Sequence, residues 1–207
     1  MPRETPTNKT KGVVAVRTAA LNDPDEKPCD GHSVAVIVID PSKGVLIGDV
    51  PDGAGASSVG GHVFDVHWSY KAAACGEVLE ETGLTVTALM PVFEKPVRRL
   101  NPCKRGDGPY GLGHYWQVYI AEVDGRLNVD PKSLLRPRWV SRVELQRLAQ
   151  RTLGRAQHTV SAEAWAEEPG ITPTWVQWFA EAGLIEMAEA DLRDIEQFMR
   201  IDGASRR

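Results

Sequence analysis

Residues 70–84 read YKAAACGEVLEETGL, and this stretch constrains the fold more than any other. From Tyr70 to Thr82 the only helix-weakening residue is one interior glycine, and Gly83 stands where helices commonly end in a left-handed residue. At about 100° per residue, Glu77, Glu80 and Glu81 fall within about 100° of one another. Ala72, Cys75 and Leu79 fall on the opposite side, with Val78 on their flank. That pattern predicts an apolar face for a core and a carboxylate face elsewhere. The acidic face is locally costly, because like charges three and four apart repel by about 0.2–0.5 kcal/mol per pair. Glu80 and Glu81 also oppose the helix dipole in the last turn, and Gly76 costs about 1 kcal/mol relative to alanine. A solvated acidic surface is the ordinary reading of such a string. A hard divalent cation would turn the repulsion into attraction, since Mg²⁺ prefers oxygen ligands.

The residues upstream favour the cation. Ser58 to Val63 reads SVGGHV, a short strand whose glycines let backbone approach a ligand. Together, residues 57–84 resemble the Nudix box, G-x5-E-x7-R-E-U-x-E-E-x-G-U with U aliphatic. Glu77, Val78, Glu80, Glu81, Gly83 and Leu84 match its second half in register, and Gly60-Gly61 resemble the paired glycines that open it. Gly76 stands where the box has arginine. The spacing from Gly61 is one residue longer, so Trp68 occupies the counted position of the first box glutamate and Asp65 is the nearest upstream acid.

The resemblance implies a Nudix-type α/β/α sandwich with a mixed sheet, carrying a C-terminal helical extension. It implies Mg²⁺, with Mn²⁺ an alternative, held by Glu77, Glu80, Glu81 and the Gly61 carbonyl, the three glutamates also being the catalytic set. The implied reaction is hydrolysis of a diphosphate linkage in a nucleoside diphosphate derivative. In the family the box arginine orients the glutamate beside it, and Gly76 has no side chain to do so. A catalytically weak or inactive module that binds a nucleotide or metabolite as a sensor is therefore the alternative. Glu81, Asp107 and Glu122 are candidates for the general base.

The expected organisation is a polar, disordered tail at 1–11, a Nudix domain at 12–153 and a helical extension at 154–207. Gly12 to Ala20 reads as a first strand. Ser33 to Asp40 (SVAVIVID) is the strongest strand signal and turns at Asp40 to Gly44 into a return strand, Val45 to Val50. Leu84 to Leu89, Val92 to Pro96, His114 to Val123 and Arg138 to Val140 read as further strands. Ser141 and Glu144 form a capping box for a helix through Gln150. Beyond Gly154, Thr172-Pro173 opens a helix rich in aromatics, and a second runs from Glu186 to Arg200. Packing onto the domain is the expected role of Trp175, Trp178 and Phe179, and a homodimer interface or a wall of the substrate pocket is the alternative.

Val97 to Gly113 (VRRLNPCKRGDGPYGLG) reads as a long loop over a site. Arg98, Arg99, Lys104 and Arg105 are candidates for phosphate contact, because guanidinium suits bidentate phosphate recognition. His114 and Tyr115, opening the next strand, are candidate substrate contacts, with a ring able to stack on a base; Trp116 reads as core. His62 and His67 show no ligand spacing with another histidine or cysteine and read as polar loop residues.

Net charge is −4 over 207 residues, which argues against general binding to nucleic-acid backbones; a small nucleotide-type substrate is what the resemblance implies. Cys29, Cys75 and Cys103 are odd in number and widely spaced. They form no metal-ligand pair in sequence and suit a reducing cytoplasm. No apolar run is long enough for a membrane span.

Overall fold

The computed structural model describes residues 27–205 apart from 102, 104, 107, 130 and 131. The strand expected at Gly12 to Ala20 lies outside the described residues, as do Lys104 and Asp107. The strands are β1 (His32–Asp40), β2 (Gly44–Asp49), β3 (Ala56–Ser57), β4 (Val59–His62), β5 (Thr85–Pro91), β6 (Val97–Arg99), β7 (His114–Asp124) and β8 (Leu135–Val140). The helices are α1 (Tyr70–Thr82), α2 (Arg142–Ala156), α3 (Ala162–Glu167), α4 (Pro173–Glu181) and α5 (Glu189–Ser205).

All eight strands join one mixed sheet with the path β3-β2-β1-β7-β5. β1 and β7 run parallel over their length, from His32 opposite Tyr115 to Ile39 opposite Glu122. The remaining pairings, β1 with β2 and β4, β2 with β3 and β8, and β7 with β5 and β6, are antiparallel. β1 is apolar without interruption because both of its faces are covered. Val34, Val36 and Val38 point to one layer, with Ala73, Ala74 and Val78 of α1. Ala35 and Ile37 point to the other, with Leu145 and Leu148 of α2, Trp175, Trp178 and Phe179 of α4, and Ile195 of α5. The result is the expected α/β/α sandwich. Each fully buried aliphatic side chain contributes about 1.5–3 kcal/mol to its stability.

α1 has the ends read from sequence. The Ser69 hydroxyl accepts from the Ala72 amide, and Gly83, at φ +70°, donates its amide to the Leu79 carbonyl. Its orientation differs from expectation. Ala73, Ala74, Val78 and Thr82 are the buried residues, whereas Leu79 is 56% exposed. The carboxylates border this buried stripe rather than opposing it. The reason is size: small Ala73 and Ala74 let the helix lie close to the sheet, and close approach outweighs the burial of one leucine.

Other differences are local. β5 runs on to Pro91, and residues 92–96 are not a strand, β6 beginning only at Val97. α2 continues past Gln150 to Ala156, its Gly154 packed beneath Thr159 and Val160. The last helix starts at Glu189 rather than Glu186. α4 has proline in its first turn, but Thr172 makes no side-chain cap. Instead the chain at 170–172 bonds across β3: Ala56 donates to Gly170 and Thr172 to Ala56. This seats α4 against the sheet.

Candidate metal and substrate site

The antiparallel pairing of β4 with β1 sets Gly61 opposite Val34. There α1 passes over β4, and the Glu77 carboxylate lies directly on the Gly61 backbone. A Cβ at residue 61 would land inside that carboxylate, so glycine is required by close approach rather than by backbone conformation. Glu77 and Glu80 line an open groove of about 430 Å³ together with Lys27, His62, Asp65, Val66 and Arg105. Burial pushes the Glu77 carboxyl up to about 7, and the neighbouring Glu80 and Asp65 charges add to the effect. A crowded carboxylate set beside bare backbone is the environment a divalent cation stabilises. Glu77 and Glu80 therefore fit such an ion. Glu81 lies half-buried on the same side of α1 but is not among the groove's lining residues.

Gly76 is also explained by contact. A Cβ there would run into the ring of His67, whose Nε2 is buried without a hydrogen-bond partner. The ring occupies the space that a side chain at 76 would need.

The basic residues of the 97–113 segment divide. Arg105 reaches the groove and pairs with Asp65, Nη1 to Oδ2 at 2.7 Å; the contact is an ion pair rather than an aligned hydrogen bond, since the same nitrogen has no hydrogen-bond partner. Arg98 instead donates to the carbonyls of Tyr110 and Leu112, at 2.7 and 3.1 Å, and so folds the loop. Arg99 pairs with Glu181 at 3.0 Å and sits over the Trp178 ring. Both line a separate groove with Tyr110 and Arg200.

Tyr115 lies in an aromatic group beside the box. It stacks on His32 with centroids 5.8 Å apart and meets Tyr110 edge-on at 5.0 Å. The group also takes in Phe64 and Tyr70, and Phe64 and Tyr110 are 48% and 44% exposed. His114 is not a substrate contact. It is buried, its Nδ1 bonded to Ser33 Oγ at 2.7 Å and its Nε2 3.1 Å from Cys29 Sγ. Glu122 is likewise misplaced as a general base. Val34 aligns with both Gly61 and Gln117, so Glu122 lies five residues, about 16 Å, further along β7.

The structure also corrects the reading of the cysteines and His62. Cys29, His62, Cys103 and His114 converge, their donor atoms all within 4.8 Å of one another. His62 Nε2 is 3.5 Å from Cys103 Sγ, and the Arg105 amide donates to that sulfur. Burial pushes the Cys103 thiol up to about 11, which makes a Cys–His nucleophile a poor account of the cluster. Burial also lowers both imidazoles, His114 to about 4. The donor pairs Cys29–His114 and Cys103–His62 are 85 and 41 residues apart in sequence, so no local spacing announces them.

A profile of the family described as the NUDIX domain matches residues 30–162. A NUDIX hydrolase from Nitrosomonas europaea aligns with a TM-score of 0.49 and 18% identity, covering 76% of this chain and 89% of its own. A NUDIX-family hydrolase from Clostridium perfringens aligns at 0.46 with 18% identity, covering 57% and 86%. A MutT NUDIX hydrolase from Burkholderia pseudomallei aligns at 0.44 with 18% identity, also covering 57% and 86%. No curated protein matches the sequence.

Proposed function

Since the chain belongs to the Nudix family of pyrophosphohydrolases, we propose that it hydrolyses a diphosphate linkage in a nucleoside diphosphate derivative, with Mg²⁺ or Mn²⁺ held by Glu77, Glu80, Glu81 and the Gly61 carbonyl. The observation that carries this reading is the Glu77 carboxylate resting on the Gly61 backbone in the groove shared with Glu80 and Asp65. A divalent ion held there would supply charge neutralisation for the phosphates and a lowered pKa for water, from which a hydroxide nucleophile forms near neutral pH. The protein's own part is positional. Arg105 and Lys27 supply positive charge on the groove wall for the phosphates. Tyr115, with Tyr110 and Phe64, offers rings on which a base can stack. Among the described candidates for general base, Glu81 is the one on the box helix.

Among the described residues no helix is long and apolar enough to cross a membrane, and Cys29, Cys75 and Cys103 are free thiols. Free thiols suit a reducing compartment such as the cytoplasm. The burial of Trp178 and Phe179 in the sheet-facing core favours a packing role for the region after residue 154 over a dimer interface.

The test is phosphate release from a panel of nucleoside triphosphates, nucleotide sugars, dinucleoside polyphosphates and oxidised nucleotides, with Mg²⁺ or Mn²⁺. The expected result is turnover of one class, abolished by Glu80→Gln with Glu81→Gln; turnover untouched by that pair removes the site. Gly76 favours a second reading, a module that binds without cleaving, because nothing at 76 can orient Glu77. Calorimetric binding of a nucleotide with no product formed would select it.

A further inference from the structure

We propose that Cys29, His62, Cys103 and His114 form a closed, four-coordinate zinc site that pins the 100–113 loop to the rim of the glutamate groove. The four donors come from four separate segments: the chain before β1, the end of β4, the loop itself and the start of β7. Their ligand atoms lie within 4.8 Å of one another. A tetrahedral zinc with bonds of about 2.3 Å to sulfur and about 2.0–2.1 Å to nitrogen has donor–donor edges of about 3.3–3.8 Å. Two of the four sulfur–nitrogen pairs stand at 3.1 and 3.5 Å, so small shifts of the side chains bring the set to tetrahedral spacing.

The surroundings are built for coordination. Ser33 is buried, and its hydroxyl binds His114 Nδ1 at 2.7 Å. That fixes the ring with Nε2 facing the cysteine sulfurs, the arrangement by which outer partners orient metal-bound histidine. The Arg105 amide donates to Cys103 Sγ at 3.4 Å, a bond that stabilises a thiolate. A residue larger than glycine at 108 would crowd Cys29, since a Cβ there lies 3.1 Å from its sulfur.

The donor chemistry selects the ion. Two thiolates and two imidazoles suit zinc and exclude Mg²⁺, which takes oxygen. Four protein ligands leave no open position, so this site is structural and distinct from the glutamates. Coordination releases one proton from each thiol to solvent. A Cys29–Cys103 disulfide is the rival account, but it gives no reason for two histidines to aim Nε2 at the same sulfurs. The location supplies the role. His62 follows Gly61 and lines the groove, and Arg105, two residues after Cys103, lines it too. One ion would thus fix both the glycine strand and the cationic loop.

The test uses the full chain, purified reduced and without chelator. We expect one zinc per chain by plasma mass spectrometry, and Co²⁺ replacement giving the intense visible bands of a tetrahedral thiolate site. Cys29→Ser and Cys103→Ser should each abolish both signals, while Cys75→Ser and Glu80→Gln with Glu81→Gln retain them. Ser33→Ala should weaken zinc about 10–100-fold. Wild-type protein that stays metal-poor after reconstitution with zinc, and gives no tetrahedral Co²⁺ spectrum, overturns the proposal without relying on any variant folding. So does a resident Cys29–Cys103 disulfide in protein quenched by alkylation. None of these readouts needs activity, so an inactive chain that binds zinc would count against the hydrolase reading alone.

Discussion

Glu77 should make the magnesium-free protein lose stability as pH rises. Its carboxyl is held at about 7 in the fold against 4.5 ordinarily, by burial first and by Glu80 and Asp65 next. Below about 4.5 it is protonated in both folded and unfolded chains and contributes no difference. Between 4.5 and 7 the folded state keeps a proton that the unfolded state has released, so stability falls with rising pH through this window and the loss is complete above 7. At about 1.36 kcal/mol per pH unit the interval bounds the effect near 3 kcal/mol. Glu77 retains some solvent contact, and screening brings the expected value to about 1–3 kcal/mol. Glu77→Gln removes the charge at nearly constant volume. Urea unfolding of both proteins from pH 5 to pH 8, without added magnesium, should show the variant gaining on wild type across the range and leading by about 1–3 kcal/mol at pH 8. Adding Mg²⁺ at pH 8 should then stabilise wild type more than the variant, which lacks the Glu77 carboxylate among the ligands. Parallel pH curves for the two proteins would mean that Glu77 is not a crowded, desolvated acid, and the reasoning from its position on Gly61 would fail.

Other expectations follow from single contacts. Gly61→Ala should displace the Glu77 carboxylate and reduce turnover at least tenfold while melting changes by only a few degrees; full activity in steady-state assays would separate Glu77 from the metal. Gly76→Ala should cost about 1–3 kcal/mol despite its better helix propensity, because the new methyl meets the His67 ring. Combined with His67→Ala, it should recover about 1–2 kcal/mol in a double-mutant cycle read by chemical denaturation, and strict additivity would contradict the contact. Arg105→Ala should raise KM for substrate more than Arg98→Ala with Arg99→Ala, which should instead speed proteolysis within 100–113; the reverse order would return the phosphate role to Arg98 and Arg99. Trp178→Ala should destabilise by about 3–5 kcal/mol by differential scanning calorimetry, since the ring is fully buried between α4 and the sheet.

What the sequence makes legible here is what neighbours in the chain decide. The C-terminal end of α1 is readable because Gly83 stops it through a bond to a residue four away. β1 is readable because burial on both faces demands an unbroken apolar run. The rotation of α1 is not readable, since Leu79 against Ala73 and Ala74 is decided by how closely the sheet allows the helix to approach. The same holds for Arg98, Arg99 and Arg105. Composition marks all three as cations over a site, yet only the course of the loop sends one to Asp65 and another to the carbonyls of Tyr110 and Leu112. The Cys–His cluster is the extreme case, assembled by the pairing of β4 and β7 with β1 rather than by any spacing along the chain.

The two departures from the box pattern become one feature in three dimensions. The segment between Gly61 and α1 is a residue longer than the pattern, and Gly76 replaces its arginine. That longer segment carries His67 over residue 76, into space that any Cβ there would have to share. A side chain at 76 and the present position of the His67 ring exclude each other. Glu77 is then left with the bare backbone of Gly61 beneath it, in the groove that the Asp65–Arg105 ion pair also lines. The loop bearing Arg105 is also the loop bearing Cys103. A cation on the Cys29, His62, Cys103 and His114 set would therefore hold the loop that brings Arg105 into the groove.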